Sequence, residues 1–181
     1  MPLSVTIPAA ELFDEGSGEF IIVAEQKLQL EHSLVSLAKW EAKYCKPFLT
    51  PDNKSRDECV DYVRCMTLTQ NVPSNVYKAI PDSVMAQVNE YIERPMTATW
   101  FSENKNTPKS REVVTAELIY YWMIALNVPF ECQKWHLNRL LTLIRVCNEK
   151  NTPPKKMSRN ELYGRNRSLN ASRKSRLHTR G

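Results

Sequence analysis

Apolar residues recur at helical spacing over most of this chain and alternate at strand spacing only near its start. Residues 4–7 and 19–23 are β-prone runs on either side of the turn-forming Asp14-Glu15-Gly16-Ser17-Gly18, which predicts a small N-terminal hairpin over residues 4–23. From Leu30 the positions Leu30, Leu34, Leu37 and Tyr44 step by three, four and seven, Ala38 and Trp40 widen the stripe, and Pro47 stops it. That is the spacing of a first amphipathic helix. After a loop over residues 50–54, a second helix is expected from Ser55 to about Thr69, with Cys59, Tyr62, Val63 and Met66 on one face. Residues 73–80 hold one short helix. Asp82, between Pro81 and the spaced Val84, Val88, Tyr91 and Ile92, is the expected N-cap of another that ends at Arg94-Pro95.

Residues 96–110 mix Thr, Asn, Lys and Pro108 around Trp100-Phe101, a connecting loop whose aromatic pair is expected to dock on the core. The densest apolar stretch follows. A long helix is expected over residues 112–126 and a second over residues 130–148, with only Asn127, Val128 and the helix-starting Pro129 between them. So short a connection predicts an antiparallel helical hairpin over about residues 112–148, with Phe130, Leu137, Leu141 and Ile144 facing the first helix. Past Pro153-Pro154, Ser158 and Glu161 match the capping box and predict a helix from about Arg159. Its large apolar residues are Leu162, Tyr163, Leu169 and Leu177, too few to form a core, so it needs a partner. The expected class is therefore mainly α: a helical domain over residues 1–152 with the small hairpin, and a basic C-terminal helical arm over residues 153–181.

Length and composition change this picture little, and charge changes it a good deal. The 181 residues, 42% of them hydrophobic, suit one domain with an appendage. Up to Pro154 there are 16 Lys/Arg against 19 Asp/Glu, a balance of −3, whereas from Lys155 onward there are 9 against 1, a balance of +8. The basic character belongs to the arm. Five cysteines, an odd number without a Cys-x-x-Cys pair, predict a reducing compartment. The segment MPLSVTIPAAELFDEG lacks a basic stretch leading into an apolar one, which predicts no secretory leader and a cytoplasmic site of action. The longest apolar run, residues 118–126, is far short of the roughly 20 needed to cross a bilayer, so no membrane span is expected.

The chemistry-bearing residues are scattered. His32, His136 and His178 fall on different expected elements, without a Cys or His at metal-ligand spacing, so no metal or cofactor is expected. Cys132 and His136 lie four apart, which sets side chains alongside one another but supplies neither oxyanion donors nor an orienting third group; Cys132 is expected to pack. Glu117, Glu131 and Glu149 suit helix ends rather than an acid–base pair. There is no glycine-rich phosphate loop, and no enzyme is expected. The basic arm would attract polyphosphate, which keeps a nucleic-acid-binding regulator as one alternative. Tyr163 is its one aromatic, however, and the preceding domain is slightly acidic, so a solvated arm or a helix that docks on an acidic protein partner is preferred.

The run IYYWMIALNVPFECQKWHLNRLLTLIRVCN, the following PPKKMSRNELYGRNRSLNASRKSRLHTRG, the earlier LQLEHSLVSLAKWEAKYCKPFL and the central PMTATWF together resemble a family of small proteins encoded among the tail genes of long-tailed bacteriophages. The resemblance covers most of the chain. It implies a tail assembly chaperone of the host cytoplasm, which keeps the long helical tape measure protein soluble and helps recruit tail tube protein; it transfers no catalytic residue. On that basis the expected protein-binding residues are Tyr120, Trp122, Trp135 and Leu141 for the apolar client, and Arg159, Arg165, Arg167, Arg173, Lys174 and Arg176 for acidic tube or tape measure segments. Self-association is an expected further contact. Many proteins of this class exist in two lengths through a minus-one frameshift, and Pro154-Lys155-Lys156 can be encoded CCA-AAA-AAG, which contains a slippery heptamer. The structural alternative is a head–tail or tail adaptor that stays in the virion.

Overall fold

The computed structural model describes residues 1–14, 16, 18–51, 53–101, 112–152 and 158–177. Strand β1 (Leu3–Ile7) pairs antiparallel with β4 (Gln26–Leu30), and β2 (Ala10–Asp14) with β3 (Glu19–Val23). Ile7 opposes Gln26 and Ala10 opposes Val23, so one register runs through both ladders and the four strands are halves of a single long hairpin. Pro8, which has no amide proton to give, stands at the interruption. An N-terminal hairpin is present, but the expected pairing of residues 4–7 with 19–23 is corrected: each run pairs with a different strand. Leu30 likewise closes β4 rather than opening a helix, because Leu28 and Leu30 point inward at strand period with Val5 and Ile7, all buried.

Seven α-helices follow among the described residues: α1 (Leu34–Tyr44), α2 (Arg56–Met66), α3 (Ser74–Lys78), α4 (Asp82–Glu93), α5 (Ala116–Ala125), α6 (Leu137–Asn151) and α7 (Arg159–Leu177). Ser33 and Ser55 start α1 and α2 with capping boxes, the serine oxygen accepting from the third helical amide in each case. The expected N-cap at Asp82 is corrected. Pro81 holds that position, and Asp82, already helical, pairs with Arg56 of α2. Thr115 caps α5, whose start at Ala116 is therefore four residues inside the expected 112.

The second helix of the expected hairpin is also corrected. Phe130–Lys134 is a 3-10 turn, and α6 begins only at Leu137. The cause is tertiary: His136 forms an isolated β-bridge with Ser33, and the Leu137 amide donates to His32 O at 2.7 Å, which holds the backbone at this point against the segment between β4 and α1. Phe130, expected to face α5 from within α6, is exposed, while Leu137, Leu140 and Ile144 form the buried face.

Helix α1 lies between two packed clusters. Trp40 joins the first with β1, β4, α2, α3 and α4; Leu34 and Leu37 join the second with α5, the 3-10 turn and α6. Glu41 of α1, itself buried, accepts from the Phe48 amide at 2.8 Å and from the Ala116 amide at 2.7 Å, placing a carboxylate at the N-terminus of α5. Asn127, at φ 53°, turns the chain after α5, a conformation asparagine adopts more readily than most residues. Of the expected Trp100-Phe101 anchor, only half holds: Trp100 is exposed, while Phe101 is half-buried beneath the Arg145 guanidinium. The remainder of that loop, residues 102–111, lies outside the described residues.

The chain separates into two units, Met1–Asn148 and Glu149–Gly181, a division that falls in the last turn of α6. The Pro153-Pro154 break and Lys155-Lys156 lie outside the described residues, as does His178. No described helix is long and apolar enough to cross a membrane.

Candidate functional site

The four apolar residues expected to meet a client are all half-buried and packed against the second cluster. Tyr120 donates its hydroxyl hydrogen to Gln133 Oε1 at 2.9 Å, and Trp135 lies beneath the Arg139 guanidinium, 4.2 Å from the ring centre. Trp122 and Leu141 share the floor of a shallow cleft with Leu49 and Val113. Each thus presents an edge to solvent while its body supports α5 or α6. Trp122 and Trp135 thus belong to the boundary between core and surface.

The residues that do face solvent are neighbours of these. Ala116, Ile119 and Met123 are buried at helical spacing and orient α5, which turns Tyr121 and Ile124 outward; Phe130 follows at the 3-10 turn, its ring centre 6.4 Å from that of Tyr120. The signal was in the sequence. Residues 118–126 are apolar all the way round, and one helix face cannot bury them all unless it is enclosed, so the surplus had to appear on the other side.

Sequence reasoning missed a second constellation altogether. His32 and His136, 104 positions apart by their numbers, pack ring to ring at 5.1 Å. His32 Nδ1 lies 2.6 Å from Tyr62 Oη, His136 Nε2 lies 3.0 Å from Tyr91 O, and the Tyr91 hydroxyl donates to Glu31 Oε1 at 2.7 Å. Burial pulls the His32 imidazole down to about 3, with the neighbouring His136 adding to it, and burial also lowers His136 against the opposing bond from Tyr91 O. Burial pushes the Tyr62 phenol far up. Both imidazoles are thereby held neutral. They tie the segment before α1 to α2, α4 and the start of α6. Only the β-bridge at Ser33–His136 brings them together, and no spacing rule anticipates such a pairing.

Cys132 packs inside the second cluster, where burial raises its thiol. It does not meet His136 in a hydrogen bond, the latter's contacts being Tyr91 and His32. Among the described residues no group of three or more His, Cys, Asp or Glu is placed to hold a metal ion.

In the second unit, Ser158 and Glu161 form the expected reciprocal cap: the Ser158 amide donates to Glu161 Oε2 at 2.8 Å, and the Glu161 amide to Ser158 Oγ at 3.2 Å. Those bonds hold the Glu161 carboxyl below its ordinary range. Arg159, Arg165, Arg167, Arg173, Lys174 and Arg176 all lie on α7, and none of its residues is buried. Comparison with known proteins adds no relative: no protein family, curated protein or solved structure matches the chain.

Proposed function

We propose that this chain is a tail assembly chaperone of a long-tailed bacteriophage, acting in the host cytoplasm on the tape measure protein and assisting the recruitment of tail tube protein. The observation that carries the reading is the pair of solvent-facing apolar residues Tyr121 and Ile124 on α5, whose opposite side is buried in the core, with Phe130 also exposed on the 3-10 turn that follows. A tape measure protein is a long helix with apolar stripes that aggregate until the tube encloses them. A small rigid ridge covers such a stripe weakly and releases it when tube subunits arrive. Tyr120, Trp122, Trp135 and Leu141 support the ridge and border it. The cations of α7 suit acidic segments of the client or the tube protein.

Co-expression tests this. The tape measure protein is expected to stay soluble with this chain and to precipitate with a Tyr121→Ser/Ile124→Ser variant. A client equally insoluble with and without the chain removes the reading. Mass spectrometry of purified particles separates the adaptor alternative, since a chaperone is absent from them and an adaptor stoichiometric. Salt-sensitive DNA binding that disappears on deletion of the residues after Pro154 would instead favour the regulator.

A further inference from the structure

The β2–β3 half of the hairpin is apolar on both faces. Leu12 and Val23 turn one face onto the first cluster. On the other, Phe13 and Phe20 sit directly opposite one another with ring centres 5.2 Å apart, and Ile22 follows two residues along β3. These three are 57%, 70% and 76% exposed. The β1–β4 half shows what an ordinary solvent face looks like in this protein: Ser4, Thr6, Lys27 and Gln29. An aromatic cross-strand pair left in water is therefore peculiar to the distal half.

Two further facts identify an occupant. Before Lys27 the chain carries Glu11, Asp14, Glu15, Glu19 and Glu25 and no lysine or arginine, so the distal, β2–β3 half of the hairpin is acidic. From Lys155 onward it carries nine cations and one carboxylate. Helix α7 also leaves Leu162, Leu169 and Leu177 about half exposed or more. At helical spacing these leucines fall within about 80° of the helix surface, and Arg165, Arg173 and Arg176 lie on the same side. One chain thus holds an apolar face inside an acidic ribbon and an apolar stripe inside a basic helix.

We infer that the exposed Phe13–Phe20–Ile22 face is the docking site for α7 of a second copy of this chain. Apolar contact supplies the attraction and the opposite charges set the pairing and orientation. The inference is independent of the chaperone reading, because self-association is measured with no client present.

The experiment is sedimentation velocity on the full chain and on two variants, Phe13→Ser/Phe20→Ser and Leu162→Ser/Leu169→Ser, with circular dichroism to show that each keeps the fold. The wild type is expected to gain mass with concentration and to associate roughly tenfold more weakly when salt rises from about 0.05 to 0.5 M. Each variant alone is expected to stay monomeric. Mixing them restores association, since one supplies the intact helix and the other the intact face. A Glu11→Lys variant, changed on the same strand face as Phe13, Phe20 and Ile22, is expected to weaken association and to regain it with Arg165→Glu/Arg173→Glu. A wild type that is monomeric at every concentration, a serine variant that still associates alone, or a mixture that fails to recover overturns the inference.

Discussion

Helices α2 and α7 begin with the same device and live in opposite surroundings. Ser55 with Glu58 starts one and Ser158 with Glu161 the other, each serine oxygen accepting the third amide and each glutamate returning the bond. Beyond the cap they diverge: α2 buries Tyr62, Val63 and Met66, and α7 buries nothing. A cap decides where a helix starts. It contributes about 1 kcal/mol, which fixes a boundary without holding a helix of this length together by itself. What holds α2 is the cluster beneath it; α7 awaits a surface.

The largest effect expected from this contrast comes from truncating an apolar residue on each helix. Met66→Ala should cost about 2–5 kcal/mol in urea unfolding, because a fully buried side chain leaves a cavity. Leu169→Ala should shift the same transition by no more than about 0.5 kcal/mol. Equal losses would mean that α7 belongs to the folded core and would break the comparison.

Acid sharpens it next. His32 and His136 both titrate below the ordinary histidine value in the folded chain, so the unfolded chain takes up protons first. The stability they contribute is complete above the unfolded value near 6.5 and is lost as pH falls below it, for His32 down to about 3. Between pH 7.5 and 5 this amounts to about 2 kcal/mol for each histidine that stays neutral when folded. A thermal unfolding series should show that slope, and His32→Gln should flatten it. The helicity of α7, followed by Cα chemical shifts, should stay constant over the same interval.

Caps come third. Ser55→Ala should lower global stability by about 1 kcal/mol, whereas Ser158→Ala should leave global unfolding unchanged and reduce the helical shifts of α7 alone. The smallest effect is expected at Glu161. Its carboxyl is held below the ordinary range by the Ser158 bonds, so its support of α7 is present above the unfolded carboxyl value and fades as pH falls through the lowered one. Helical shifts in the first turn of α7 should decline there, while Ser158→Ala removes the dependence.

Local chemistry is legible wherever neighbours in sequence settle the matter. The helical stripes of α2 and α4, the start of α2 at Ser55, the capping box at Ser158 and the start of α7 at Arg159 follow from side chains within a few residues of one another. The single long hairpin was harder to read, because alternation in LQL also fits a helix start and only pairing with β1 decides between them. The 3-10 turn at Phe130–Lys134 escaped for a similar reason: a proline-started apolar run reads as helix until the β-bridge at His136 interrupts it. Of the expected binding surface, the region was legible and the residues were shifted. Tyr120 and Trp122 lie beside the exposed Tyr121 and Ile124, since the phase of a helix apolar on every side is set by what it packs against.

The sequence by itself determined where most helices begin, that the basic charge belongs to the arm, and that α7 has too few apolar residues to bury. These are local or additive properties, fixed by caps, spacing and composition. Tertiary structure alone decided that His32 meets His136, that Tyr121 and Ile124 face water while Trp122 does not fully do so, and that Phe13 and Phe20 stand paired on an open face. Those outcomes depend on strand register and on which side of α5 the core claims, and both are settled by contacts between residues far apart in the chain.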